Sequence, residues 1–98
     1  MSDSYIPGDV ARISVSVFDL SDVAADPGAL RLKVKSPAGA VTTYTFGSSA
    51  EVIKDSTGAY HADIQLTSQG LWAYRWEMDA PNAGAVEGAI TVQRSRVI

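Results

Sequence analysis

The sequence predicts an all-β protein, an antiparallel β-sandwich of six to seven short strands. Three observations point there. Residues 55–78 contain two runs in which apolar and polar side chains alternate strictly, the period of a strand with one buried face. The same stretch holds both Trp and two of the four Tyr, the bulk a small core needs. Turn-forming clusters recur every eight to twelve residues along the chain.

In the first run Tyr60, Ala62, Ile64 and Leu66 share one face, against His61, Asp63 and Gln65. In the second, Trp72, Tyr74, Trp76 and Met78 oppose Ala73, Arg75 and Glu77. Residues 67–70 (TSQG) read as a turn in which Gly70 takes a positive φ. Residues 55–78 are therefore expected to form the central hairpin of the sandwich.

Taken in order, residues 1–9 form an arm closed by Pro7-Gly8, with Tyr5 and Ile6 too apolar for a purely solvated tail. They either tuck onto the sandwich or meet a partner. Residues 10–18 (VARISVSVF) make the first strand, with Ile13, Val15 and Val17 inward and a β-branched composition. Residues 19–28 are a loop in which 20–25 could manage a short helix, marginal without tertiary support. Residues 29–35 place Leu30, Leu32 and Val34 inward and Arg31, Lys33 and Lys35 outward. Ser36-Pro37-Ala38-Gly39 turns the chain into a return strand over 40–46. There Val41 lies opposite Tyr44 and Phe46 in phase, which implies a bulge or an outward apolar contact. Residues 51–54 read as a short edge strand, and Asp55-Ser56-Thr57-Gly58 as the turn that follows. Residues 79–84 are a loop, and 85–93 the last strand, with Val86, Gly88, Ile90 and Val92 on one face.

Ninety-eight residues make one domain, 1–98, with an N-terminal arm (1–9) and a C-terminal tail (94–98). A chain of this size buries roughly 60–68% of its unfolded surface, enough for one core. With 46% hydrophobic and 19% charged residues it has the composition of a globular protein. The absence of cysteine excludes disulfides and thiolate metal sites. The first nine residues lack the basic and apolar regions of a signal peptide, so synthesis in the cytosol is the expectation. No apolar run approaches the roughly 20 residues of a membrane span. A net charge of −3 argues against nucleic acid as a partner.

Four groups of residues could carry chemistry. His61 and Asp63 share a face and could orient an imidazole, but a nucleophile and oxyanion donor are not specified; a solvated or interface pair is the expectation. Asp19, Asp22 and Asp26 could contribute oxygens to calcium, yet their spacing matches no EF-hand pattern and Asp26 before Pro27-Gly28 suits a turn. Trp72, Tyr74 and Trp76 could stack sugars or bases if exposed, but their spacing fits the inward face. Arg31, Lys33 and Lys35 form either a solvated strand face or a contact for an acidic partner. With Arg94 and Arg96 they account for five of the eight basic residues. No catalytic, metal-binding or cofactor-binding residue is assigned, no cofactor is expected, and a non-enzymatic role follows.

Two local patterns invite comparison with a known family. Asp55-Ser56-Thr57-Gly58-Ala59-Tyr60 resembles the D-x-x-G-x-Y turn and strand of immunoglobulin-like domains, in which the Tyr hydroxyl can brace a corner. Gly70-Leu71-Trp72-Ala73-Tyr74-Arg75-Trp76 resembles the G-x-W-x-Y strand of bacterial and phage immunoglobulin-like modules. With residues 5–10 (YIPGDV), Asp26-Pro27 and residues 35–39 (KSPAG) in the same order, the chain is similar to small immunoglobulin-like proteins of tailed-bacteriophage virions. The paired cysteines and strand-C Trp of antibody domains are missing. The resemblance implies an immunoglobulin-like sandwich and a virion structural protein, assembled in the host cytoplasm and bound to capsid, neck or tail subunits or to copies of itself. Its expected contacts are Tyr5, Ile6, Arg31, Lys33, Lys35, Arg94, Arg96, Val97 and Ile98. The competing reading is a carbohydrate-binding or adhesion module using Trp72, Trp76 or the Tyr44/Phe46 pair as a platform. A small enzyme built on His61 and Asp63 ranks last.

Overall fold

A computed structural model describes residues 5–95 and 97. Among the described residues seven strands form two antiparallel sheets, with no helix: β1 (Val10–Ser16), β2 (Leu30–Lys35), β3 (Val41–Thr45), β4 (Val52–Ser56), β5 (Ala59–Gln65), β6 (Gly70–Met78) and β7 (Gly84–Val92). One sheet has the order β1-β5-β4 and the other β3-β2-β6-β7. The chain crosses between sheets after β1, β3 and β5, so the β-sandwich expected from the alternation is the observed architecture.

The core follows from that alternation. Ala11, Ile13, Val15 and Val17 meet Tyr60, Ala62, Ile64, Leu66 and Val52 on one inner face. Leu30, Leu32, Val34, Trp72, Trp76, Met78 and Val92 supply the other. Burying side chains of this size contributes about 1.5–3 kcal/mol each. Trp76 is fully buried and Trp72 is 7% exposed, so the aromatic stripe is core, with Tyr74 half-buried against it. The Trp72 indole donates to the Ser68 carbonyl at 2.9 Å, whereas the buried Trp76 Nε1 has no hydrogen-bond partner among the described residues.

The expected hairpin over 55–78 is corrected. β5 pairs with β1 and β4, and β6 pairs with β2 and β7, so residues 67–69 arch from one sheet to the other. In one hairpin the apolar faces of β5 and β6 would lie side by side. In an arch they close on each other across the core, which buries both. Gly70 keeps its expected positive φ, +124°, and a Cβ there would meet Pro37 at 2.8 Å. The hairpin that does include Asp55 joins β4 to β5 through Thr57-Gly58.

Residues 19–28 contain no helix: Asp19 Oδ1 accepts from the Ser21 and Val23 amides, and Phe18 bridges Ala24. The carboxylate offers the backbone an alternative to helical bonding. The β2–β3 register runs unbroken from Arg31↔Thr45 to Lys35↔Val41, so Val41 simply points outward; the irregular ladder lies in β4, between Lys54 and Ser56. Tyr5 tucks in, bridging Val92 in parallel, with its carbonyl accepting from the Gln93 amide at 2.7 Å.

Candidate functional site

None of the four groups singled out in the sequence forms an open reactive centre. His61 is buried, with Nδ1 at 2.8 Å from Asp55 Oδ2, and Asp63 Oδ2 lies 4.0 Å from Nε2. Asp63 is held by Arg12 through two hydrogen bonds of 2.8 and 3.0 Å, which keep its carboxyl below the usual range. The nearer carboxylate partner of the buried His61 is thus Asp55, itself exposed, rather than Asp63. The β4 irregularity swings Asp55 under the imidazole, a placement that two-residue alternation does not encode.

Two of the three loop aspartates, Asp19 and Asp26, have separate tasks. Asp19 caps its own loop. Asp26 gathers one end of the sandwich: Oδ2 accepts from Lys54 Nζ at 2.7 Å, and Oδ1 accepts from the Gly58 amide and the Tyr60 hydroxyl, each at 2.9 Å. Its carbonyl accepts from Asn82 Nδ2 at 2.7 Å. The Lys54 bond first, then those from Gly58 and Tyr60, lower the Asp26 pKa to about 2. Burial, then the bond to Asp26, raises that of Tyr60 to about 12. Among the described residues no group of three or more His, Cys, Asp or Glu converges as metal ligands would.

Three of the expected contact residues, Arg31, Lys33 and Lys35, sit on the outer face of the four-stranded sheet, and its register sorts them into rows. Arg31 stands beside Thr45 and Glu77, and Glu77 beside Ala85. Lys33 stands beside Thr43 and Arg75, and Arg75 beside Glu87. Glu77 accepts from Arg31 Nε at 2.7 Å and Arg75 Nε at 2.8 Å, with Lys33 Nζ at 3.3 Å. Arg31 also reaches Asp79, and Arg75 reaches Glu87. The Arg75 and Arg31 bonds, with Lys33, lower the Glu77 pKa to about 2. Three cations and three carboxylates cancel, so Arg31 and Lys33 do not present a free positive stripe.

The next row differs in kind: Val41, Lys35, Ala73 and Ala89 lie side by side across the four strands. Leu71, 62% exposed, follows beyond Ala73, and Val41 is 58% exposed. A shallow depression of about 270 Å³ lies here, lined by Lys33, Lys35, Val41, Ala73, Arg75 and Glu87. Ala73, Ala89 and Leu71 were not singled out in the sequence. Alternation marks each as outward, but only the cross-strand register shows that they adjoin Val41 and Lys35.

Of the other expected contacts, Ile6 is 48% exposed, Arg94 is exposed and Val97 is 91% exposed. Arg96 and Ile98 lie outside the described residues. No protein-family model matches the chain, and neither the curated proteins nor the solved structures searched contain a match.

Proposed function

We propose that this protein is a non-enzymatic structural component of a tailed-bacteriophage virion, an immunoglobulin-like module that binds a capsid, neck or tail lattice. The observation that carries the interaction reading is the Val41–Lys35–Ala73–Ala89 row with Leu71. It is a largely apolar strip on the outer face of the four-stranded sheet, small at Ala73 and Ala89, with Lys35 beside the Arg31–Glu77–Arg75 network. Small side chains let a partner surface approach closely, and an exposed apolar patch edged by charge is the usual anatomy of a protein contact. Ile6, Arg94, the Val97 end and the edge strands are the further contacts of this reading. The virion assignment rests on the family resemblance of residues 55–60 and 70–76.

Mass spectrometry of purified particles tests the assignment, and absence of the chain would overturn it. Pull-down of capsid or tail subunits by Lys35→Glu and Leu71→Ser variants tests the face; unchanged capture by both would remove it. The carbohydrate-binding alternative has lost its tryptophan platform, since both rings lie in the core.

A further inference from the structure

β1 ends one sheet and β7 the other, on the same flank of the sandwich. A cleft of about 410 Å³ opens between them, lined by Arg12, Ile13 and Ser14 of β1, by Tyr74 and Ile90 of the other sheet, and by Tyr5, which bridges Val92 of β7. The backbone phase of β1 is fixed at both ends: the Leu66 amide donates to the Asp9 carbonyl at 2.8 Å, and the Val17 amide to the Gly58 carbonyl at 2.7 Å. Antiparallel pairing alternates, so Ala11, Ile13 and Val15 turn their amides and carbonyls toward β5. Val10, Arg12, Ser14 and Ser16 turn theirs toward the open flank, where no described residue bonds to them.

The remaining edges are better guarded. The Thr45 amide of β3 is taken by Ser49 Oγ, β4 carries an irregular ladder and Lys54, and the end of β7 is covered by Tyr5. β1 contains no Pro, no Gly and no irregularity in its ladder. An edge of that kind is a template for another strand.

We infer that β1 pairs antiparallel with β1 of a second copy of this chain, centred on Ile13, fusing two three-stranded sheets into one of six. The choice of occupant and register comes from self-complementarity. Centred on Ile13, Arg12 faces Ser14 of the second copy and Val10 faces Ser16, so all four edge-facing residues meet edge-facing residues. Centring on Arg12 sets two guanidiniums against each other, which is unfavourable. Centring on Ser14 leaves Val10 beyond the paired strands. A slip by one residue puts the hydrogen-bonding groups out of phase and turns the apolar face outward. In this register each Arg12 keeps its bond to Asp63 of its own chain, and no two like charges stand opposite each other. This pairing does not depend on the virion assignment, and absence from particles would leave it intact.

Sedimentation velocity and native mass spectrometry of the full chain test it, with amide hydrogen exchange as the residue-level readout. Expected are a concentration-dependent dimer and protection of the Arg12, Ser14 and Ser16 amides that rises with concentration. Ser14→Pro removes only a flank-facing donor, a position an edge strand tolerates, and should weaken the dimer roughly tenfold or more. Ser14→Lys places an ammonium against Arg12 of the second copy and should weaken it with the fold retained; it decides the matter if the proline variant unfolds. A wild-type monomer at every soluble concentration overturns the inference. So does a dimer that survives Ser14→Lys, or one whose protection falls on β3 or β7 instead.

Discussion

The Tyr60 hydroxyl donates to Asp26 Oδ1 at 2.9 Å across 34 positions of sequence, tying the second residue of β5 to the loop between β1 and β2. Phe46 sets its ring edge-on to Tyr60, 5.2 Å between centroids, at the same end of the sandwich. Lys54, Gly58 and Asn82 converge there too, so four chain segments depend on one aspartate.

That arrangement sets limits in pH. The folded-state pKa of Asp26 is depressed to about 2 from 3.8, and that of Glu77 to about 2 from 4.5. Their contributions are fully present above the ordinary values and are lost as pH falls toward about 2. Tyr60 has the opposite sign: its pKa is raised from 10.0 to about 12, so its contribution holds below the ordinary value and is lost as pH rises through that window. Melting temperature against pH should fall at both ends. Asp26→Asn and Glu77→Gln should each flatten the acid limb, and Tyr60→Phe the alkaline limb. Unchanged limbs would mean these contacts do not form in solution.

Trp76 separates packing from hydrogen bonding. Trp76→Ala should cost about 3–5 kcal/mol by urea unfolding. Trp76→Phe should cost less than half as much, because the indole N–H it removes has no partner to leave behind. Equal costs would reveal a donor bond.

Tryptophan emission of the free protein should be blue-shifted and resistant to acrylamide, since both rings lie in the core. Adding oligosaccharides should not change it. Red-shifted, quenchable emission would reopen the stacking platform.

Gly58 is a backbone requirement. Its φ is +73°, and a Cβ would meet the Val17 carbonyl at 2.5 Å and the Ala25 amide at 2.9 Å. Gly58→Ala should therefore destabilise by more than about 1 kcal/mol, read as a lower urea midpoint at unchanged slope.

The inward residues were legible because strand period alone specifies them: Ile13, Leu32, Ile64 and Trp76 all lie where alternation puts them. What alternation cannot give is which strand lies beside which. The same pattern in β5 and β6 fits a hairpin or an arch, and the choice depends on partners far away in sequence. The outer face shows the same limit. Arg31 and Lys33 look like free cations until Glu77, 46 positions from Arg31, is placed beside them. Asp26 carries the ordinary signature of a turn residue, and its four partners are scattered from Lys54 to Asn82.

The arch at 67–69 also has a consequence in time. The first sheet has all its strands once Gln65 has been synthesised, but its apolar face has no complete cover until β6 and β7 follow. β2 waits likewise, for a partner that is made more than thirty residues later. On the ribosome the β2–β3 and β4–β5 hairpins can pair early, but the core between the sheets closes only after most of the chain has emerged. Non-local closures of this kind make folding slow, in the range of about milliseconds to seconds for sandwich topologies, and leave the nascent first sheet exposed to unwanted strand pairing in the interval.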